Sequence, residues 1–408
     1  MKAGIENLNV YPCTFALEMK RLCEARGHAV ADIRDTMMID ERSVNAPWED
    51  PVTMAVNAAL PLVTDDNRSK ISLVIVASES GVDQEKPMST WVQRYLGLTP
   101  NVRNFELKHA CYGATAGLRM ALGWVASGMA RGDKALVIST DQSRMHLGKP
   151  WEFVMGAGAT AMIVSDQPDV LEVELHKSGV HTEEVSDLTR PTSRVETGNS
   201  ETSLLSYLDA LEGAYSNYLE RLPEPIDFDA YFVKNIYHAP FGGMTLRAHR
   251  ALLRRSKKLG KDETLAHFAN KTQRSLAHLR RMGGTYGSST FIGLLGMLDG
   301  ADDLASGDRI SMFSYGSGAC AEFYSALVGP RAKELARDVG LGAKLAARRA
   351  LTVREYEDIE RERTCWIDQG DFAPSTAGFD DWYERRYRGQ HLLVFQGIED
   401  HYRKYGWS

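Results

Sequence analysis

The chain has 408 residues, 43% of them hydrophobic and 25% charged, with a formal net charge of −6. That length and composition belong to a globular protein with ample core in one large or two to three ordinary domains, and the acidic balance excludes a general nucleic-acid footprint. No run approaches the roughly 20 apolar residues of a membrane span, MKAGIENLNVYPC has neither the core nor the cleavage site of a signal peptide, and Cys13, Cys23, Cys111, Cys320 and Cys365 form no CxxC pair. A cytoplasmic setting is expected, with no membrane partner, no disulfide framework and no metal.

The first strong element is the apolar run Leu73–Ala77, followed at once by Ser78, Glu79, Ser80 and Gly81. A carboxylate straight off a buried strand is desolvated, which raises its pKa and suits acid or base work near neutral pH. An exposed loop acid is the plainer alternative. Next comes ELKHACYGATAGL, residues 106–118, where Cys111 precedes a helix expected over Ala114–Ala126. A cysteine at such a corner is either a nucleophile at a helix N-terminus, where the dipole favours thiolate, or a small residue filling a tight turn. Strands are predicted over Ala135–Ser139 and Ala161–Val164, and the polar stretch 166–228 reads as an insertion of loops and helices.

A strand at Tyr231–Val233 leads into NIYHAPFGG, residues 235–243, placing His238 and Pro240 in a strand-end loop, where functional side chains concentrate. A neutral imidazole there either donates to a carbonyl oxygen or takes a thiol proton, unless backbone groups already satisfy it. The predicted helix Leu246–Leu259 lies in a segment, 245–261, with seven Lys/Arg and no acid. Helical spacing gathers Arg247, Arg250, Arg254, Lys258 and Lys261 on one stripe, either a solvated face or a docking surface for an acidic partner or a phosphate. Helices follow at Glu263–Met282 and Thr290–Leu298, then a strand at Ile310–Phe313. The glycine-rich turn Tyr315–Ala321 matches no nucleotide-binding pattern, but its Ser317 offers a hydroxyl to a bound acyl group. The tail from about residue 340 reads as peripheral helices and loops.

Three segments recur in the same order. ACYGATAGL from Ala110 is echoed by GTYGSSTFIGL from Gly284, GDKALVIST from Gly132 by GDRISMFSY from Gly307, and GAGATAMIVS from Gly156 by GSGACAEFYS from Gly316. Continuous apolar strands alternating with helices suit a layered α/β fold with strands buried on both faces. The expected body is five-layered, with mixed sheets in two pseudo-symmetric halves. Residues 1–165 form the first half with Glu79 and Cys111, 166–228 the insertion, 229–330 the second half with His238, and 331–408 a peripheral segment. The repeat sets Cys111 opposite Thr285, which cannot act as a thiolate.

With ASESGVD, ELKHACYGAT and YHAPF in that order, the chain resembles the 3-hydroxy-3-methylglutaryl synthase family of the thiolase superfamily. AGIENLNVY, NAPWEDPVTMAVNAA (45–59), RPTSRVETGNSETSLLSYLDALE (190–212) and the closing HYRKYGWS resemble the branch that installs β-branches in polyketide assembly lines, so the likeness runs nearly end to end. The resemblance implies a thiolase fold and a condensing acyltransferase. Cys111 would accept an acetyl group and Glu79 would remove a proton from its methyl. The carbon so formed would attack the β-ketone of an acceptor chain, with His238 holding or protonating oxygens and Glu79 assisting the final hydrolysis.

The same resemblance implies that Tyr207, Pro240, Gly284 and Ser317 touch substrate. It implies no bound cofactor, phosphopantetheine arms brought by a donor and an acceptor acyl carrier protein, and a homodimer. Because carrier proteins are acidic, Arg247, Arg250, Arg254 and Lys258 are expected to dock the donor. Gly284 stands where the family usually has an asparagine, which removes an amide that helps bind acyl oxygen. Two rival readings are a ketoacyl synthase of the Cys-His-Asn type, disfavoured by Glu79 and the missing asparagine, and a non-catalytic carrier-protein partner, favoured by Gly284 alone.

Overall fold

A computed structural model describes residues 2–143 and 146–408. Its centre is a mixed sheet of nine strands: β1 (Gly4–Tyr11), β2 (Ile71–Ala77), β3 (Arg103–Leu107), β4 (Lys134–Asp141), β5 (Gly158–Ser165), β6 (Leu171–Thr182), β7 (Lys234–Tyr237), β8 (Arg309–Gly316) and β9 (Cys320–Val328). Their spatial order is β7-β8-β9-β6-β1-β5-β4-β2-β3. Each end repeats the other. β2 runs parallel to β4, which pairs antiparallel with β5, and β5 with β1. In the same way β7 runs parallel to β8, which pairs antiparallel with β9, and β9 with β6. Within the sheet the halves meet where β1 pairs with β6, Gly4 opposite Glu172 and Ile5 opposite Leu171.

Six helices complete the layers: α1 (Pro51–Ala59), α2 (Met88–Tyr95), α3 (Gly113–Ala126), α4 (Ser200–Glu220), α5 (Gly242–Ser256) and α6 (Ser288–Gly300). Side chains alternate along each strand, so β2 sends Leu73 and Ile75 to one side, where α3 and α6 pack, and Val74 and Val76 to the other, against α1 and α2. In the second half β8 sends Ile310 and Met312 to the same central layer, and Phe313 and Tyr315 outward against α4 and α5. Helix, sheet, helix, sheet, helix: the five layers expected from the continuous apolar runs are present, in a thiolase fold. The repeated sequences occupy matching places, at the heads of α3 and α6, in β4 and β8, and in β5 and β9.

The ends of α1 and α4 are set locally. Asp50 and Thr53 form a reciprocal capping box with Pro51 in the first turn, and Asn199 accepts from the N–H groups of Glu201 and Thr202. Several expected boundaries move. Residues 171–182, inside the supposed insertion of loops and helices, form β6, a central strand whose polar positions hide its period. Tyr231 ends a short helix capped by Asp227, so the strand before His238 is β7. The helix expected over Glu263–Met282 breaks at Thr272, which is fully buried with an extended φ of −133°, into Lys261–Lys271 and shorter turns. The C-terminal tail is not only peripheral, because the hairpin Leu393–Glu399/Tyr402–Trp407 closes over α1 and Tyr405 donates to the capping carboxylate Asp50 at 2.7 Å.

Contact between β6 and α4 leaves no room for a side chain at Gly179, where an added Cβ would lie 2.1 Å from Tyr218 N and 2.2 Å from Ala214 O. Gly179→Ala should therefore destabilise the fold by about 1–3 kcal/mol through forced separation of helix and strand. A clear fall in melting temperature is expected, and an unchanged value would show that α4 does not rest on β6 this closely.

Candidate active site

Three strand or helix ends converge at the seam between the halves. Glu79 follows β2, Cys111 precedes α3, and His238 follows β7; all three line one cavity of about 440 Å³. The corner carrying Cys111 is tight, with Ala110 held at φ +39°, a left-handed conformation that costs an alanine of order 1–3 kcal/mol. The second half presses on this corner. A Cβ on Gly316 would fall 2.6 Å from Tyr112 N, and one on Gly287 would fall 3.0 Å from the Cys111 carbonyl. Tyr112, next to the thiol, donates to Glu322 of β9 at 3.0 Å, and Arg119 of α3 pairs with the same carboxylate at 2.9 Å. The seat of Cys111 is therefore fixed from both halves.

Cys111 Sγ–H donates to Glu79 Oε1 at 3.4 Å. Burial first, then the charges of Glu79 and Asp141, push the thiol well above its ordinary value. The helix terminus does not win here: low dielectric and two carboxyl groups outweigh the dipole, so the resting group is a neutral thiol. The thiolate that a helix N-terminus alone would favour is therefore not the resting form, and a proton acceptor assists attack. Glu79 is in place to be one.

Glu79 is itself held by a group the sequence reading missed. Asp141, at the end of β4, accepts from the Glu79 backbone N–H at 2.9 Å and from the Ser78 and Ser80 hydroxyls at 3.1 and 2.9 Å. Burial and the nearby Glu79 charge push Asp141 up to about 8. A strand end thus does hold a carboxyl raised by burial, and it is that of β4. Its signal was the polar end of an otherwise apolar strand, IST followed by Asp.

His238 is only 1% exposed. Its Nδ1 lies 2.8 Å from Ser289 Oγ, and that hydroxyl also accepts from Ala239 N–H at 3.3 Å. With one proton to give, Ser289 donates to Nδ1, which leaves Nε2 as the protonated nitrogen. Among the described residues Nε2 has no hydrogen-bond partner. Burial lowers the imidazole to about 3, so it is neutral at every physiological pH. A neutral Nε2–H on the cavity wall is a hydrogen-bond donor waiting for an oxygen.

The remaining expected residues divide. Pro240, Gly284 and Ser317 line the cavity. Tyr207 lines it too, but its hydroxyl is spent on the His238 carbonyl at 2.7 Å, so it orients the histidine. Gly284 donates to Val154 O at 2.7 Å, and a Cβ there would lie 2.4 Å from Pro240 O. An asparagine does not fit without moving the loop after His238, so the glycine belongs to this chain's own packing. Thr285, the repeat partner of Cys111, is fully buried outside the cavity lining. Its neighbour Tyr286, the repeat partner of Tyr112, lines the cavity with φ +51° and a buried hydroxyl lacking a partner among the described residues.

Arg247, Arg250 and Arg254 project from the exposed face of α5 into a groove with Leu204 and Leu208 of α4, and Arg247 lines both that groove and the cavity mouth. The stripe is shorter than expected. α5 ends at Ser256, where Lys257 turns extended and pairs with Asp229, so Lys258 and Lys261 leave the helical stripe and do not line the groove.

Residues 245–405 match the family model of the hydroxymethylglutaryl-coenzyme A synthase C-terminal region. The polyketide biosynthesis 3-hydroxy-3-methylglutaryl-ACP synthase PksG of Bacillus subtilis is 37% identical over 371 residues, covering 88% of this chain and 87% of its own. A hydroxymethylglutaryl-CoA synthase of Enterococcus faecalis is 31% identical over 365 residues, covering 89% and 92%. The crystal structure of the curacin biosynthetic pathway HMG synthase is similar over 100% of both chains, with 39% identity and a TM-score of 0.95, and that enzyme is also solved in complex with apo, holo and acetyl donor-ACP.

Nitrogen NMR of the histidine rings checks the electrostatics of the site. His238 should keep one neutral tautomer, protonated on Nε2, from about pH 8 down to about pH 5. A titration centred near the ordinary histidine value would contradict it.

Proposed function

Because this chain belongs to the 3-hydroxy-3-methylglutaryl synthase family, we propose that it carries out the condensation that places a β-branch on a carrier-bound polyketide chain, with Cys111, Glu79 and His238 as its catalytic residues. The observation that carries the reading is a neutral thiol donating to a carboxylate, beside an imidazole whose Nε2 has no partner among the described residues, in one cavity. The donor is an acetyl thioester on an acyl carrier protein and the acceptor a β-ketoacyl chain on a second carrier, each presented on a phosphopantetheine arm.

Cys111 gives its proton to Glu79 and attacks the acetyl carbonyl. The Sγ–C bond forms, the donor's C–S bond breaks, and the departing carrier sulfur takes that proton. Glu79, again a carboxylate, removes a proton from the methyl of the acetyl thioester, and the enolate carbon bonds to the β-carbonyl carbon of the acceptor. His238 donates through Nε2–H to the oxygen on which charge develops, and Glu79 returns its proton to the new alkoxide. Water then cleaves the Sγ–C bond; the Cys111 sulfur recovers a proton and the carboxylate product leaves with its carrier. The two-step route suits cysteine, since transfer between thioesters is nearly isoenergetic and the acetyl thioester keeps an acidic methyl.

The donor carrier docks on the α4–α5 groove, where Arg250 and Arg254 meet its acidic surface. Arg247 sits where the arm turns from groove into cavity. A homodimer formed through the terminal strand β3 completes the proposal.

Intact-protein mass spectrometry should find one acetyl group on wild-type enzyme after incubation with acetyl-carrier protein, at least about tenfold faster than from acetyl-coenzyme A, and none on Cys111→Ala. Equal rates from both donors would return the enzyme to the coenzyme A branch. Glu79→Gln should acetylate within about tenfold of wild type, because losing the negative charge also eases thiol ionisation, while condensation falls by about 10²–10⁴. A Glu79→Gln enzyme that condenses normally would exclude this assignment.

Reversing Arg250 and Arg254 together to Glu should raise KM for the carrier-bound donor about tenfold at low salt with kcat almost unchanged. An unmoved KM would remove the groove from the docking account.

A further inference from the structure

Beside the catalytic residues, the cavity wall holds an ion pair that the reaction above does not use. Arg190 and Glu196 stand in the segment joining β6 to α4, where Leu188–Thr189 and Thr197–Gly198 pair as a short hairpin. Both side chains are enclosed, at 14% and 13% exposure, and both line the cavity. Arg190 reaches Glu196 with Nε at 3.0 Å and with a second, shorter contact from its guanidinium. His146 Nε2 lies 3.5 Å from the other Glu196 oxygen.

The remaining arm of the guanidinium donates to the backbone carbonyl of Glu79. That contact is the informative one. The peptide N–H on one side of the Glu79 Cα is held by Asp141 and the carbonyl on the other side by Arg190. A strand-end loop ordinarily lets its backbone turn, and here both torsions that aim the Glu79 side chain are tied to enclosed side chains, Asp141 and Arg190. The Arg190 guanidinium also sits over the Tyr286 ring at 5.9 Å from its centroid, so the hairpin is braced against the second half as well. Asp368, in the C-terminal segment, anchors the hairpin tip through Ser193 at 3.0 Å and Arg194 at 3.1 Å.

We propose that Arg190 is a positioning residue for Glu79, gripping its backbone carbonyl so that proton removal from the acetyl methyl depends on it while acetyl transfer to Cys111 does not. The proposal rests on the functional reading above. The distinction between the two steps follows from geometry. The thiol proton is exchanged between groups whose donor and acceptor already touch, but the methyl of a bound acetyl group must be met at a fixed angle by the Glu79 oxygen, and a shift of about 1 Å in such an alignment costs about 10²-fold.

The experiment compares wild type, Arg190→Ala and Arg190→Lys in heavy water with acetyl-carrier protein. Intact mass gives the rate of acetylation of Cys111, and the mass of the released acetyl group gives deuterium entry into its methyl, which reports proton removal alone. Arg190→Ala should acetylate within about threefold of wild type, while deuterium entry and condensation both fall by about 10²-fold. Arg190→Lys, which keeps a donor but loses the fork, should recover part of the deuterium entry. Deuterium entry at the wild-type rate in Arg190→Ala overturns the proposal. So do acetylation and deuterium entry falling together with Arg190→Lys no better than Arg190→Ala, since that pattern marks a merely structural arginine. Wild-type enzyme that never acetylates overturns the functional reading itself, and this proposal with it, an outcome separate from any difference between the variants.

Discussion

A thiol proton directed at a carboxylate oxygen, inside a low-dielectric cavity, sets the terms for the rest of the site. Cys111 and Glu79 could not share this space as thiolate and carboxylate without strong repulsion, and the buried Asp141 beside them adds to the pressure. The protein resolves the conflict by keeping the sulfur protonated and Asp141 pushed up to about 8. One negative charge, moved by proton transfer, is enough for each step, and the neutral His238 supplies a hydrogen bond without adding a cation that would trap it.

Such an arrangement demands rigidity from elements far apart in the chain, and the duplicated architecture supplies it. α3 and α6 share the central layer, their heads ACYG and GTYG meet closely at Gly287, and the end of β8 presses on the first of them at Gly316. Each half gives one side of the seat: the first contributes Cys111 and Glu79, the second His238 and the pressure on the Cys111 corner. Ala110 beside Cys111 and Tyr286 on the cavity wall hold left-handed backbone, conformations that persist where the surrounding structure over-determines them.

Much of this was legible from the chain. Apolar runs without alternation, such as LVIVA, signal strands covered on both faces, and the internal repeat gives the pairing of halves, because both are properties of local sequence. Glu79, Cys111 and His238 each stand at an element end next to a serine or an alanine, and the structure brings all three to one cavity. What the chain hid was relational. β6 carries polar residues because it lies between halves and against α4, so its hydrophobic period is broken. Asp141 and Ser289 look ordinary until the fold sets one against the Glu79 peptide and the other against the His238 ring. The sign of the Cys111 shift depended on which carboxyl groups the fold brings near, and a helix terminus alone gave the opposite answer. Gly284, which looked like a loss, is explained by a carbonyl oxygen from a loop more than 40 residues earlier in sequence.

The most direct test is the thiolate absorbance near 240 nm, taken as the difference between wild type and Cys111→Ala across the pH range. A resting thiol held neutral by burial and by Glu79 predicts no difference signal until the pH passes the ordinary cysteine value of 9.0. A signal already complete at pH 7 would mean a thiolate at rest, and would contradict the account of Glu79 as the group that accepts its proton.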